Sequence, residues 1–215
     1  NDAGDIYLTL SGEARLRMNY FENPGLVEGE HRREDILRLV GGADLHLGKN
    51  IRFYGELGHG GIAGNNIGTP SAKARNDLIV QQAFGEVSGT LGGVELGARY
   101  GRQEFSDGPP LLVTTRDNNT IRTSLNGFRG WAMGSRVRFD VFDFEYTSFG
   151  PGGASDDTSD ENTRFSGVTM GIVLPTFAEG QLYLDPFVWR EREDNITWAV
   201  TTAREERLYT GARLW

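Results

Sequence analysis

The chain of 215 residues has no cysteine, which excludes disulfides and thiolate metal sites and leaves the compartment open. It also has no run of about eighteen apolar residues, so no transmembrane helix is expected. That exclusion does not reach β-barrels, whose strands are apolar only at every second position. With 30 glycines and 7 prolines, long helices are disfavoured. A phosphate loop and a nucleophile elbow are missing, and the histidines His31, His46 and His59 are scattered without metal-ligand spacing. No catalytic residue, cofactor or metal is therefore expected, and the chain reads as a non-enzyme. A formal net charge of -8 argues against a general nucleic-acid binder, which needs a basic surface to displace counterions from phosphates. The opening NDAGD lacks the tripartite pattern of a leader, as in a mature chain whose signal peptide has been removed.

What the sequence does have is alternation. Over residues 6–20, Ile6, Leu8, Leu10, Ala14, Leu16, Met18 and Tyr20 share one parity, and Thr9, Ser11, Glu13, Arg15, Arg17 and Asn19 the other. This run is far longer than the usual strand of roughly five or six residues. Leu37, Leu39, Ala43, Leu45 and Leu47 likewise alternate against Arg38, Asp44 and His46, and Ile51, Phe53 and Leu57 against Arg52, Tyr54 and Glu56, across the tight turn GKN.

The connections follow a second rhythm, alternately long and short. Long polar stretches are FENPGLVEGEHRRED, GGIAGNNIGTPSAKARND, SDGPPLLVTTRDNNT, GPGGASDDTSDENT and EDNITWAVTTAREE; short ones are GKN, GTLGG, AMG and PTFAEG. In SRVRFDVFDFEYTSF the apolar parity changes between Val141 and Phe142, which predicts a bulge there. The expectation is an all-β fold: about ten antiparallel strands in one domain over 1–215, forming a transmembrane β-barrel with short periplasmic turns and long extracellular loops. Tyr20, Phe21, Phe105, Trp131, Phe149 and Trp189 fall near strand ends and are expected in the aromatic girdles.

A soluble sandwich or lipocalin-like barrel uses the same alternation with the apolar side inward. Strand length, the loop rhythm and the density of opposite charges on one face favour the membrane barrel, with its Leu/Met face on lipid and its Arg/Glu face on the lumen. On that register the polar face carries Arg15, Arg17, Arg38, Arg52, Arg99, Arg136, Arg138, Arg207 and Arg213, with the facing of Arg102, Arg122, Arg129 and Arg190 left open. Arginine keeps its charge and presents a planar fork to carboxylates. A lumen ringed with it favours anions, and interleaved acids such as Glu13, Asp44, Glu56, Glu95 and Asp140 let a polyanion leave again. The competing reading is that these charges pair across a narrow lumen and plug it. The run SDDTSDEN offers a divalent-cation or lipopolysaccharide bridge, against the simpler reading of a solvated loop.

Several stretches together resemble the alginate export family of outer-membrane barrels: SGEARLRMNYFENPG, ADLHLGKNIRFYGELGHG, DLIVQQAFGEVSG, YGRQEF followed by LVTTRDNNTIRTSLNGFRG, and YTGARLW. The resemblance implies a monomeric barrel in the bacterial outer membrane that passes an anionic polysaccharide or oligouronate by diffusion. Its surroundings would be lipid and lipopolysaccharide, with periplasmic secretion partners. By motif it marks Arg15, Arg17, Arg52, Glu56, Arg102, Arg122, Arg129 and Arg213 as pathway positions; Arg38, Arg99, Arg136 and Arg138 join them from the register. The family pattern is about twice as long, roughly eighteen strands, so the chain is expected to match its first half, as part of a larger barrel or as a ten-stranded relative. The alternatives are a general porin for small organic acids, or a surface enzyme or adhesin working through the loops.

Overall fold

The computed structural model describes residues 6–107, 113–175 and 180–215. Ten strands, β1 (Ile6–Glu22), β2 (His31–Leu47), β3 (Ile51–Asn65), β4 (Asn76–Leu91), β5 (Val94–Gln103), β6 (Leu125–Met133), β7 (Val137–Ser148), β8 (Thr158–Val173), β9 (Tyr183–Trp198) and β10 (Thr201–Leu214), form one sheet in sequence order. Each pairs antiparallel with the next, and β1 and β10 stand at the two ends of that order. The sheet is all-β as expected; among the described residues no helix is long and apolar enough to cross a membrane.

Which face meets lipid is decided by exposure. Leu8, Leu16, Leu39 and Phe53 are 57%, 67%, 41% and 49% exposed, on the face that also carries Ile6, Leu10 and Met18. A soluble monomer rarely leaves so continuous an apolar surface to water. Acyl chains cover it without cost, and the soluble sandwich is excluded.

Several boundaries differ from the sequence reading. The stretch EDNITWAVTTAREE is not a loop: β9 and β10 run through it and turn at Ala199 and Val200, with Ala199 at φ 54°. Its polarity marks strands that continue above the apolar belt, where the outer wall meets water and needs no hydrophobic side chains. The same reason turns Thr158–Thr163 into the start of β8. Conversely, Ile121–Ser124 belong to the β5–β6 loop, because β6 begins at Leu125. No bulge separates Val141 from Phe142. Alternation runs straight through, and the nearest register shift lies between Glu145 and Tyr146. The apolar residues change sides instead, since Val141 faces out whereas Phe142 and Phe144 are buried inside.

That inward turn builds a core. Phe105, Leu125, Phe142, Phe144, Phe165 and Trp189 pack together on the inner face, with Val113, Phe187, Tyr146 and Tyr209 against them. Trp189 and Phe142 are each only 1% exposed. Phe105, Phe149 and Trp189 are therefore interior residues rather than girdle ones. Trp131 also shares the inner parity, its indole donating to Glu95 Oε1 at 3.3 Å. Of the six expected girdle residues, Tyr20 is outward at 63% exposed, and Tyr100 and Phe128, opposite one another on the outer wall, are the girdle aromatics that the sequence reading missed.

Candidate functional site: a loop laid across an arginine ladder

The β1–β2 register runs unbroken from Ile6 opposite Leu47 to Glu22 opposite His31, and it sets Arg15 directly opposite Arg38 on the inner face. Like charges so placed repel. The β5–β6 loop supplies the answer. Asp117 puts one carboxylate oxygen 2.8 Å from Arg38 Nη2 and the other 3.3 Å from Arg15 Nη1. Arg15 Nη2 also donates to the carbonyls of Asp117 and Asn119 at 2.9 Å each, and Arg17 Nη1 to that of Asn118 at 2.6 Å. Three consecutive backbone carbonyls are thereby tied to the wall by guanidinium groups.

Arg122, further along the loop, points into a pocket of acids. It donates to Glu56 Oε1 and Glu104 Oε1 at 2.5 Å each and lies 3.6 Å from Glu13 Oε2. Glu13 in turn takes two bonds from Arg38, at 2.9 and 2.6 Å. The knot thus balances Arg15, Arg17, Arg38 and Arg122 against Glu13, Glu56, Glu104 and Asp117. Within the loop, the Arg38 guanidinium holds the Asp117 carboxyl below its usual range, whereas burial pushes that of Glu104 up.

Apolar contacts fix the loop's other side. Ile121 is buried with Ile79 and Phe149, and its N–H donates to the Lys73 carbonyl at 3.0 Å. Gly60 permits this approach, for a Cβ there would stand 2.9 Å from both Ile121 Cδ1 and Thr120 Cγ2.

Two further networks line the inner face. Toward the short turns of β2–β5, Arg52 makes a bidentate pair with Asp44 at 2.8 and 2.9 Å, and Arg99 binds Glu86 at 2.5 Å with its guanidinium 4.0 Å over the Phe84 ring. Toward the short turns of β6–β10, Asp140 joins Arg129, at 2.6 Å, to Arg138. There Arg213 binds the carbonyl of Asp107 at 2.7 Å and its carboxylate at 3.1 Å. A cavity of about 550 Å³ opens beside them, lined by Asp107, Arg136, Arg138, Asp140, Asp185 and Trp215 among others.

The structure therefore gathers Arg15, Arg17, Arg38, Arg122 and Glu56 at one place, Arg52 and Arg99 at a second, and Arg129, Arg136, Arg138 and Arg213 at a third. Arg102 stands apart. Its guanidinium donates to Val80 O at 2.9 Å and Asn126 Oδ1 at 3.0 Å and lies 3.5 Å from Asp157, stapling the β7–β8 loop to the wall. Arg190, whose facing was open, lies outside, opposite Leu208. Sequence reasoning missed Asp117, Glu104 and the loop carbonyls. The signal was Ile121, an apolar residue at the end of a polar loop. The three histidines stay apart, and among the described residues no three metal-capable side chains converge.

An antiparallel sheet with a greasy outer face, a charged inner face and its longest connections at one end is the wall of an outer-membrane β-barrel. The family model described as alginate export matches residues 6–214, and the chain belongs to that family of outer-membrane polysaccharide transport proteins. No curated protein and no solved structure matches it.

Proposed function

We propose that this chain passes an anionic polyuronate by diffusion along its arginine ladder, with the β5–β6 loop forming the constriction. The observation that carries this reading is Asp117, a carboxylate of the chain's own held between Arg15 and Arg38. A pair of guanidinium groups that accepts one carboxylate can accept another of similar geometry. Uronate carboxylates would step from that pair to Arg52 and Arg99 and on to Arg138 and Arg213. The acids beside each arginine keep every stop shallow, as conduction requires. No bond is made or broken, so no catalytic group is needed.

Planar-bilayer recording of the full chain tests this. Anion-selective steps are expected, blocked by alginate oligomers and not by monomeric sugar acids. Arg15→Glu with Arg52→Glu should weaken both selectivity and block. Cation selectivity in the parent protein would overturn the proposal, and equal block by monomers would make it a general porin for small acids.

A further inference from the structure

The outer wall of β7–β10 carries a charged patch that the transport reading does not use. One cross-strand row of outward residues reads Tyr100, Phe128, Asp143, Ser166, Arg190, Leu208, each opposite the next. The row above it continues Glu145, Arg164, Arg192, Glu206. Below, Val141, Val168 and Val188 continue the lipid-facing belt. The charges therefore begin where the hydrocarbon ends.

Arg164 and Arg192 stand directly opposite one another, as Arg15 and Arg38 do inside. Inside, a carboxylate from the loop bridges the pair. Outside, the acids stand on the flanks: Arg164 is bidentate to Asp143, Arg190 is bidentate to Glu206 at 2.8 and 2.7 Å, and Arg192 Nη2 reaches Asp194 at 3.2 Å. Each bidentate pair uses two of an arginine's five N–H donors and leaves three. Arg192 Nε is screened from solvent with no hydrogen-bond partner. Between these side chains lies a groove of about 490 Å³ lined by Val141, Asp143, Arg164, Ser166, Val168, Arg190 and Arg192, its three arginines balanced by Asp143 within it and by Asp194 and Glu206 at its edge.

We infer that this groove is a docking site for the phosphorylated headgroup of a lipid in the surrounding outer leaflet, its phosphate among Arg164, Arg190 and Arg192 and its first acyl carbons over Val141 and Val168. The groove opens onto the lipid-facing belt, so its occupant is a lipid, and the guanidinium N–H donors that Asp143, Asp194 and Glu206 leave unused select one whose phosphates carry no ammonium group of their own. Phosphate is the tetrahedral anion that arginine forks bind best. The inference rests on the outward facing of this wall and is independent of what passes through the interior.

Native mass spectrometry of the full chain, released from detergent micelles doped with bisphosphorylated lipid A or with a zwitterionic phospholipid, tests it. The parent should retain the phosphorylated lipid at least tenfold better, and millimolar inorganic phosphate should not displace it. Arg164→Gln with Arg190→Gln should abolish the preference. Should that variant fail to fold, Ser166→Asp places a carboxylate opposite Arg190, copies the role of Asp117, and should lower retention about tenfold while leaving the heat-modified mobility of the folded sheet intact. Equal retention of the two lipids by the parent overturns the inference, as does undiminished retention by Ser166→Asp. Loss of the lipid from the parent on adding EDTA would place a divalent bridge on the carboxylates and overturn direct contact with the guanidinium groups.

Discussion

The β1–β5 and β6–β10 halves follow the same alternation and fill their inner faces in opposite ways. In β1–β5 the inner positions are arginines and acids, neutralised by a loop that lies on them. In β6–β10 the inner face is aromatic at mid-height, where Phe142, Phe144, Phe165 and Trp189 pack as they would in a soluble core, and returns to arginines and acids toward the short turns. The outer faces differ in the complementary sense. That of β1 is apolar from Ile6 to Met18, whereas that of β7 turns charged at Asp143. One half is a polar track along its inner face and the other carries a packed buttress at mid-height, so an inner face of a membrane sheet is not wet merely because it is inner.

The comparison breaks most visibly in the buttress. Phe142→Ala removes a ring stacked on Phe144, 5.5 Å between centroids, and contacting Phe105 and Phe165. The cost should be about 3–5 kcal/mol, as for a buried aromatic cut to alanine. Urea titration in detergent micelles reads it, and Leu8→Ala on the lipid face should cost well under half as much. Equal costs would mean that the two halves are packed alike. In the track, Arg122→Met leaves Glu56 and Glu104 without their cation. Breaking a largely buried pair costs roughly 3 kcal/mol. Here the loss should appear first as protease cleavage within 113–124, with the strands still protected.

The strands were legible because period-two alternation survives in every one of them, and the lipid side followed from their length. Turns on the short side were legible from GKN and AMG. The upper ends were not, since polar residues on a strand above the membrane look like a loop, as EDNITWAVTTAREE did. The parity change at Val141 was visible, but a bulge and an inside-out exchange of apolar residues leave the same trace in sequence. For the charged face, Arg38 and Arg52 and the wall acids Glu13, Asp44, Glu56 and Asp140 were legible from the register, and the loop partners Asp117 and Glu104 were not. Asp117 lies about a hundred residues from Arg15 in a polar loop, and only the fold brings the two together.

The smallest expected effect separates two acids of the β5–β6 loop, Asp117 and Glu104. Asp117 has a depressed carboxyl pKa, so its contribution to loop docking is complete above the ordinary value of 3.8 and is lost as pH falls through the lower folded value. Glu104 is raised above 4.5 by burial, so its ionised form opposes docking and its protonation on mild acidification favours it. Conductance should therefore hold steady or fall slightly on mild acidification as Glu104 protonates, then rise in stronger acid as Asp117 protonates below its ordinary value of 3.8. Asp117→Asn should remove the acid rise, because its loop is already loosened at neutral pH. A parent protein without that acid rise, or a rise that survives Asp117→Asn, would break this assignment.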